Sequence, residues 1–302
     1  MSVIENAIKK LQASRAGAAA AARNKEHGAA ATSGGAARRR EVAPEGNVAT
    51  PVRTVVINQD ALRIAGLLPP SHQEREIAQQ FRQIKRPLIN SALGRGVAPL
   101  PQGNLIMIAS AVPGEGKTFT SLNLAFSMRL EEDVSVLLVD GDVVNPRITR
   151  ILGVENEPGL LDVVRDPGVS PGSAILATDV PGLSFLPAGR PDANATELLA
   201  STRMRDVVAL LGGQDATRMV LFDSAPLMLT TESQALAQVV GQILVVVRAD
   251  QTAQHVVLEA IETLHEGKAV SLVLNQSMKQ PHAGYYYQYG SSVGPRENTS
   301  SA

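Results

Sequence analysis

There is no cysteine in the 302 residues of this chain. That excludes structural disulfides, thiolate catalysis, Cys-ligated zinc and iron–sulfur clusters, and it suits a reducing cytoplasm. Aromatic residues amount to 3%, so a core drawn from the 44% hydrophobic fraction has to be aliphatic. Neither sign of charge dominates: 28 Lys and Arg stand against 29 Asp and Glu. Such a balance leaves no electrostatic footprint for nucleic acid. No apolar run approaches the roughly 18 residues of a membrane span. The longest candidate, VVGQILVVV, is half that and reads as a buried strand with its approach. The opening MSVIENAIKKLQASR lacks the apolar stretch of a secretory signal. The expectation is a soluble, cytoplasmic chain that meets the inner membrane peripherally, through a partner. Five histidines, at 27, 72, 255, 265 and 282, show no metal-ligand spacing.

What is present divides into five stretches. Residues 1–15 place Val3, Ile4, Ala7, Ile8 and Leu11 on one stripe at helical spacing, as in an amphipathic docking helix. Residues 16–71 contain AAAAA, GGAA and the Arg38–Arg40 run, and read as a disordered low-complexity linker. Residues 72–100 form a helical segment with Ile77, Phe81 and Ile84 on one side. It is crowded by Arg75, Arg82, Lys85 and Arg86, and Pro87 kinks or divides it.

From 101 to 280 short aliphatic runs alternate with longer helical stretches. The runs are LIMIAS (105–110), SVLLVD (135–140), LSFLPA (183–188), MVLFDS (219–224), ILVVVRA (243–249) and VSLVLNQ (270–276). Each has the near-continuous apolar character of a strand buried on both faces. The alternation predicts an α/β fold, a doubly wound and mostly parallel sheet with helices on both faces. In NATELLAS, Asn194 and Glu197 have the spacing of a helix-capping box. Residues 281–302 are a polar, flexible tail. Within it, AGYYYQYG holds Tyr285, Tyr286, Tyr287 and Tyr289, the four tyrosines of the chain.

The first aliphatic run leads straight into AVPGEGKT (111–118), which fits the phosphate-loop pattern except that Ala111 replaces its first glycine. Strand, Gly-rich loop, Lys-Thr and helix follow in the required order, which places the fold in the P-loop NTPase type. The nucleotide-binding stretch is Pro113, Gly114, Glu115, Gly116, Lys117, Thr118 and Phe119. Backbone N–H groups there surround phosphate oxygens, Lys117 reaches the β- and γ-phosphates, and Thr118 holds Mg²⁺. VLLVDGDVVNPR (136–147) ends an apolar strand in Asp140 and Asp142, and MVLFDSAP ends another in Asp223. Carboxylates at the C-terminal ends of strands beside a phosphate loop make a site for a hard cation. One of them can also orient an incoming hydroxyl.

SAVPGEGKT, VLLVDGDVVNP and VLFDSAP in this order, followed by a tyrosine cluster, resemble the bacterial tyrosine kinases (BY-kinases). The likeness is to the autokinases of exopolysaccharide loci, the exosortase-associated type in particular, and covers roughly residues 72–290. It implies ATP and Mg²⁺ as cofactors and Lys117, Asp140 and Asp142 as catalytic residues. It further implies Thr118, Asp140, Asp142 and Asp223 as the metal set and Asn275 against the base. The tyrosine cluster becomes the site of autophosphorylation in trans within a homo-oligomeric ring. A membrane-embedded activator of the chain-length-determinant kind is the implied partner, with no nucleic acid. The family's oligomerisation motif, Glu-x-x-Arg-x-x-Arg, reads Gln79, Arg82 and Lys85 here, and Val144 stands where an arginine is common. Two other readings stay open. One is a partitioning-type ATPase switch, although Val112 occupies the place of its signature lysine. The other is a non-catalytic, nucleotide-bound regulatory subunit of a polysaccharide machine.

Overall fold

In LIMIAS every side chain is buried, and successive residues enter different layers. Leu105, Met107 and Ala109 join one apolar cluster, whereas Ile106 and Ile108 join the other. The same alternation runs through Val136–Val139, Met219–Phe222 and Ile243–Val247. Side chains of a strand point to opposite faces in turn, so a run that is apolar throughout needs a layer on each side. This is the physical content of the apolar runs in the sequence.

The computed structural model describes residues 53–213, 217–264 and 267–277. The expected docking helix at 1–15, the linker up to residue 52 and the tyrosine cluster lie outside these residues. In chain order the elements begin with β1 (Thr54–Val55), α1 (Gln59–Ile64), α2 (Glu74–Leu93), β2 (Leu105–Ser110), α3 (Lys117–Met128) and β3 (Ser135–Asp140). They continue with α4 (Arg147–Ile151), α5 (Leu160–Arg165), α6 (Pro171–Ala174), β4 (Leu176–Thr178), β5 (Leu183–Leu186) and α7 (Ala195–Ala200). The last are α8 (Thr202–Gly213), β6 (Arg218–Asp223), α9 (Thr231–Val239), β7 (Gln242–Arg248), α10 (Gln254–Glu262) and β8 (Ala269–Asn275).

One eight-stranded sheet has the order β1-β4-β5-β3-β6-β2-β7-β8. Every pairing is parallel except β4 with β5. Strands β3, β6 and β2 are central, and the phosphate loop and both aspartate-bearing strand ends leave the sheet there.

Four departures from the sequence reading have physical causes. Residues 53–71, taken as the end of the linker, are folded: Val55, Ile57, Leu62, Leu67 and Leu68 are buried in the layer beneath α2 and α3. Asn58 caps α1 by accepting from Ala61 N at 3.0 Å, a local signal obscured by the low-complexity sequence before it. Helix α2 neither breaks nor ends at Pro87. Its buried stripe of Phe81, Lys85, Leu88 and Ile89 packs along α3 and outweighs one lost backbone bond. Strand β8 is an edge, and it exposes Leu272 and Leu274 instead of burying both faces. Finally, Asn194 stands at the N-cap of α7 without a side-chain cap bond. Its N–H is held by Asp192 Oδ1 at 2.8 Å.

Candidate active site

Strand β2 ends at Ser110 and α3 begins at Lys117, so residues 111–116 make the whole connection. Gly114 and Gly116 have φ of 81° and 93°, a region that side chains resist. At Gly116 the need is also spatial, because a Cβ would lie 2.0 Å from Asn275 Nδ2. The first N–H groups of α3 have no intrahelical partner and face an anion's natural place. A cleft of about 370 Å³ opens on this loop. Gly114, Gly116, Lys117, Thr118 and Phe119 line one side, Asn275 and Gln276 another, and Gly66, Leu67 and Arg147 a third.

Two residues of the expected nucleotide set do not line the cleft. Pro113 is one. The other is the Glu115 side chain, which is buried on the sheet side of the loop. Its Oε2 accepts from Val112 N at 2.9 Å. Its Oε1 accepts from Arg248 N at 3.1 Å and from Thr252 Oγ1 at 2.6 Å. The Glu115 carbonyl accepts from Asn275 Nδ2 at 2.8 Å. Glu115 therefore shapes the loop from behind and couples it to the ends of β7 and β8. Both carboxylate oxygens accept from N–H or O–H donors, a pattern that an amide cannot reproduce because one end of it is itself a donor. Glu115→Gln is expected to weaken nucleotide binding about tenfold. Titration with a fluorescent ATP analogue checks this, and unchanged affinity would refute the role.

The acids differ sharply in setting. Asp140 and Asp223 are register partners on β3 and β6, and both are fully buried. Burial, followed by the charge of Asp223, raises Asp140 from about 3.8 to about 8. Its Oδ2 accepts from Thr149 N and Thr149 Oγ1, each at 2.8 Å, while its Oδ1 is buried without a partner. Burial also raises Asp223, to about 6, against hydrogen bonds from Thr118 and Ser121 that favour its charged form. Ser121 Oγ donates to Asp223 Oδ1 at 2.9 Å. Asp142 lies past the end of the strand and is half-buried. It accepts from Asn145 N at 3.0 Å, and desolvation raises it while Lys117 opposes the shift. Lys117 is itself lowered by burial, against the attraction of Asp223, Asp142 and Glu115.

The structure thus brings Lys117, Thr118, Asp140, Asp142 and Asp223 to one end of the sheet. Among the described residues, no three acidic or histidine side chains form a ready-made metal cage. The donors still suit Mg²⁺, which keeps waters and takes one or two protein oxygens beside phosphate. The orphaned Asp140 Oδ1 is an oxygen with capacity to spare.

Several residues were missed in the sequence. Ser121 sits one helical turn after Lys117, a spacing that is readable in retrospect. Thr149 had no local signal, whereas Arg147 was visible three residues after Val144, the place where an arginine is common. Arg147 donates to Ala65 O at 3.0 Å and fixes residues 65–67 against the cleft. Of the expected oligomerisation residues, Gln79 and Arg82 are exposed. Lys85 is 4% exposed and is turned inward to Ser127 O at 2.7 Å and Glu131 Oε1 at 2.6 Å. It is engaged within its own chain.

No family model matches the chain. It is 29% identical over 215 residues to the tyrosine-protein kinase YwqD of Bacillus subtilis, covering 70% of this chain and 86% of YwqD. It is 28% identical over 193 residues to the tyrosine-protein kinase Wzc of Salmonella typhimurium, covering 62% of this chain and 26% of Wzc. The chain spans about a quarter of the length of Wzc and of several other matched relatives. The crystal structure of the VpsO kinase domain superposes with a TM-score of 0.56 at 26% identity, covering 68% of this chain and 98% of that domain. Among the described residues no helix is long and apolar enough to cross a membrane. By sequence and by fold, the chain is a relative of the bacterial tyrosine-protein kinases and carries the fold of their kinase domains.

Proposed function

We propose that the chain is an ATP-dependent protein-tyrosine autokinase whose acceptors are Tyr285, Tyr286, Tyr287 and Tyr289. It acts in trans between copies in a ring, under a membrane-embedded partner of a polysaccharide export system. One observation carries this reading. Lys117, Asp142 and Asp223 converge on a phosphate loop in a chain whose four tyrosines all lie within residues 285–289.

A phenol has a pKa of about 10 and is a weak nucleophile at neutral pH. Phosphoryl transfer asks mainly for positioning and charge neutralisation. Lys117 supplies a buried cation at the γ-phosphate, and the start of α3 supplies N–H donors. Thr118, with Asp140 Oδ1, Asp142 and Asp223, would hold Mg²⁺, which would neutralise phosphate charge. The phenolic oxygen attacks the γ-phosphorus, the bond from that phosphorus to the β,γ-bridging oxygen breaks, and ADP leaves. Asp142 would take the phenolic proton, because it is only half-buried and feels the charge of Lys117. Asp140 is enclosed and tied to Thr149.

Intact-mass spectrometry with and without Mg·ATP tests the reading, beside Lys117→Met and the four-Tyr-to-Phe variant. Mass steps of one phosphate, absent from both variants, are the expected result. An unmodified wild-type chain that binds ATP, and stays unmodified when a partner's cytoplasmic segment is added, would sink it. It would leave the regulatory-subunit reading.

A further inference from the structure

A second cavity, of about 220 Å³, lies between α1, α2 and α3. Its walls are of two kinds. Phe81, Phe126, Ile77 and Leu68 make an apolar slot, and Arg63, Arg82 and Arg129 stand around it. The nucleotide chemistry uses none of these side chains.

The arginines are unevenly engaged. Arg63 is ion-paired to Asp60 at 3.0 Å and to Glu74 at 3.7 Å. Arg82 and Arg129 form no ion pair with the described residues, and Arg129 Nε is buried without a hydrogen-bond partner. Two unpaired guanidinium groups beside a slot edged by two phenylalanines recognise a particular ligand: an aromatic ring carrying a doubly charged phosphate. Guanidinium binds phosphate with paired, charge-assisted hydrogen bonds, and the ring adds apolar burial. An anion without a ring, or a ring without a charge, satisfies half of the site.

We propose that this cavity binds phosphotyrosine from the chain's own 285–289 cluster. The inference rests on the autokinase reading for its ligand, and reach supports it. Asn275 and Gln276 hold the start of the C-terminal segment on the phosphate loop, at the N-terminal end of α3. The cavity lies along the same helix, from Asn123 to Leu130. At about 1.5 Å per residue, Arg129 is about 18 Å from Lys117 along α3. The chain from Ser277 to Tyr285 can extend about 27 Å, which is sufficient. A product tyrosine would thereby be withdrawn from the catalytic cleft to a site on the exposed flank of α2, beside Gln79 and Arg82.

The test uses the full chain with its four tyrosines changed to phenylalanine. It is titrated calorimetrically with a synthetic peptide of residues 281–292 phosphorylated at 285, 286, 287 and 289. Binding of this peptide and none of the unphosphorylated one is expected. Affinity should fall at least tenfold in Arg82→Ala/Arg129→Ala and persist in Lys117→Met. Loss in Lys117→Met with retention in the arginine pair would place the peptide on the phosphate loop and overturn the proposal. So would equal binding of phosphate-free peptide, or binding of anionic lipid vesicles with the same dependence on Arg82 and Arg129. Arg129→Lys keeps the charge without the fork and should recover part of the affinity. Cross-linking of mixed heavy- and light-isotope chains, phosphorylated in advance, separates sources. Links within one isotope support the chain's own tail, and links between isotopes at this cavity overturn that assignment. Because the peptide is synthetic, a chain with no kinase activity that still binds it would lose the autokinase reading and keep the site.

Discussion

Replacing Asp140 with asparagine is expected to raise the melting temperature of the metal-free protein and to remove the proposed phosphotransfer. The carboxyl is raised from about 3.8 to about 8, chiefly by burial and then by Asp223. A carboxyl whose pKa rises on folding holds its proton more tightly in the folded chain. Its contribution is fully present below about pH 3.8 and is lost as pH climbs through about 8. At pH 8 the wild-type chain therefore carries the strain of a buried negative charge facing a second one. An amide removes that charge and keeps the geometry. Its oxygen can take both Thr149 donors, and its nitrogen occupies the place of the unpartnered Oδ1. The gain is about 2–4 kcal/mol at pH 8, or roughly 5–10 °C in melting temperature. It should shrink steadily toward pH 4. Mg·ATP should stabilise the wild-type chain by mass action and the variant much less. Calorimetry at pH 5 and pH 8, with and without Mg·ATP, reads all of this. A variant less stable than wild type at pH 8 would show that Asp140 is charged and satisfied by the protein alone.

The second large effect is at Lys85. Lys85→Ala is expected to destabilise the fold by about 2–4 kcal/mol without first changing the proposed association between copies. The substitution opens a void beneath α2 and strands Ser127 O, which Lys85 Nζ reaches at 2.7 Å. Glu131, 39% exposed, turns to water and adds little. Lys85→Met fills the void and should cost less. Arg82→Ala, on the open face of the same helix, should leave the melting temperature unchanged. Melting curves beside sedimentation velocity distinguish these outcomes. A Lys85→Ala chain of normal stability that no longer assembled would restore this lysine to the subunit interface.

These two sites mark where the sequence was legible and where it was not. Strands β2, β3, β6 and β7 could be read because burial on both faces leaves an unbroken apolar run. The phosphate loop could be read because backbone geometry demands glycine and chemistry demands Lys-Thr. Strands β1 and β4, two and three residues long, carry too little pattern to register. Asp140 and Asp142 looked equivalent as a pair two apart. Their difference arises after Gly141, whose N–H still bonds to Asp223 O at 2.7 Å before the chain leaves the strand. Only the fold reveals that Thr149 takes one acid and leaves the other open. Lys85 misled because it stands at the last position of the oligomerisation motif that the resemblance implies, whereas its place in the stripe of Phe81, Leu88 and Ile89 was equally visible.

The bond from Asn275 to the Glu115 carbonyl has a practical consequence. Strand β8 is tied to the phosphate loop, so whatever is attached just behind Gln276 is expected to be mechanically geared to the nucleotide. A fluorophore placed at Ser277 should therefore change its emission on nucleotide binding, and it would serve as an optical gauge of site occupancy. For the same reason, an affinity tag joined at that point would strain the loop it was meant to leave alone. Fusions to this protein call for a spacer before the first foreign residue.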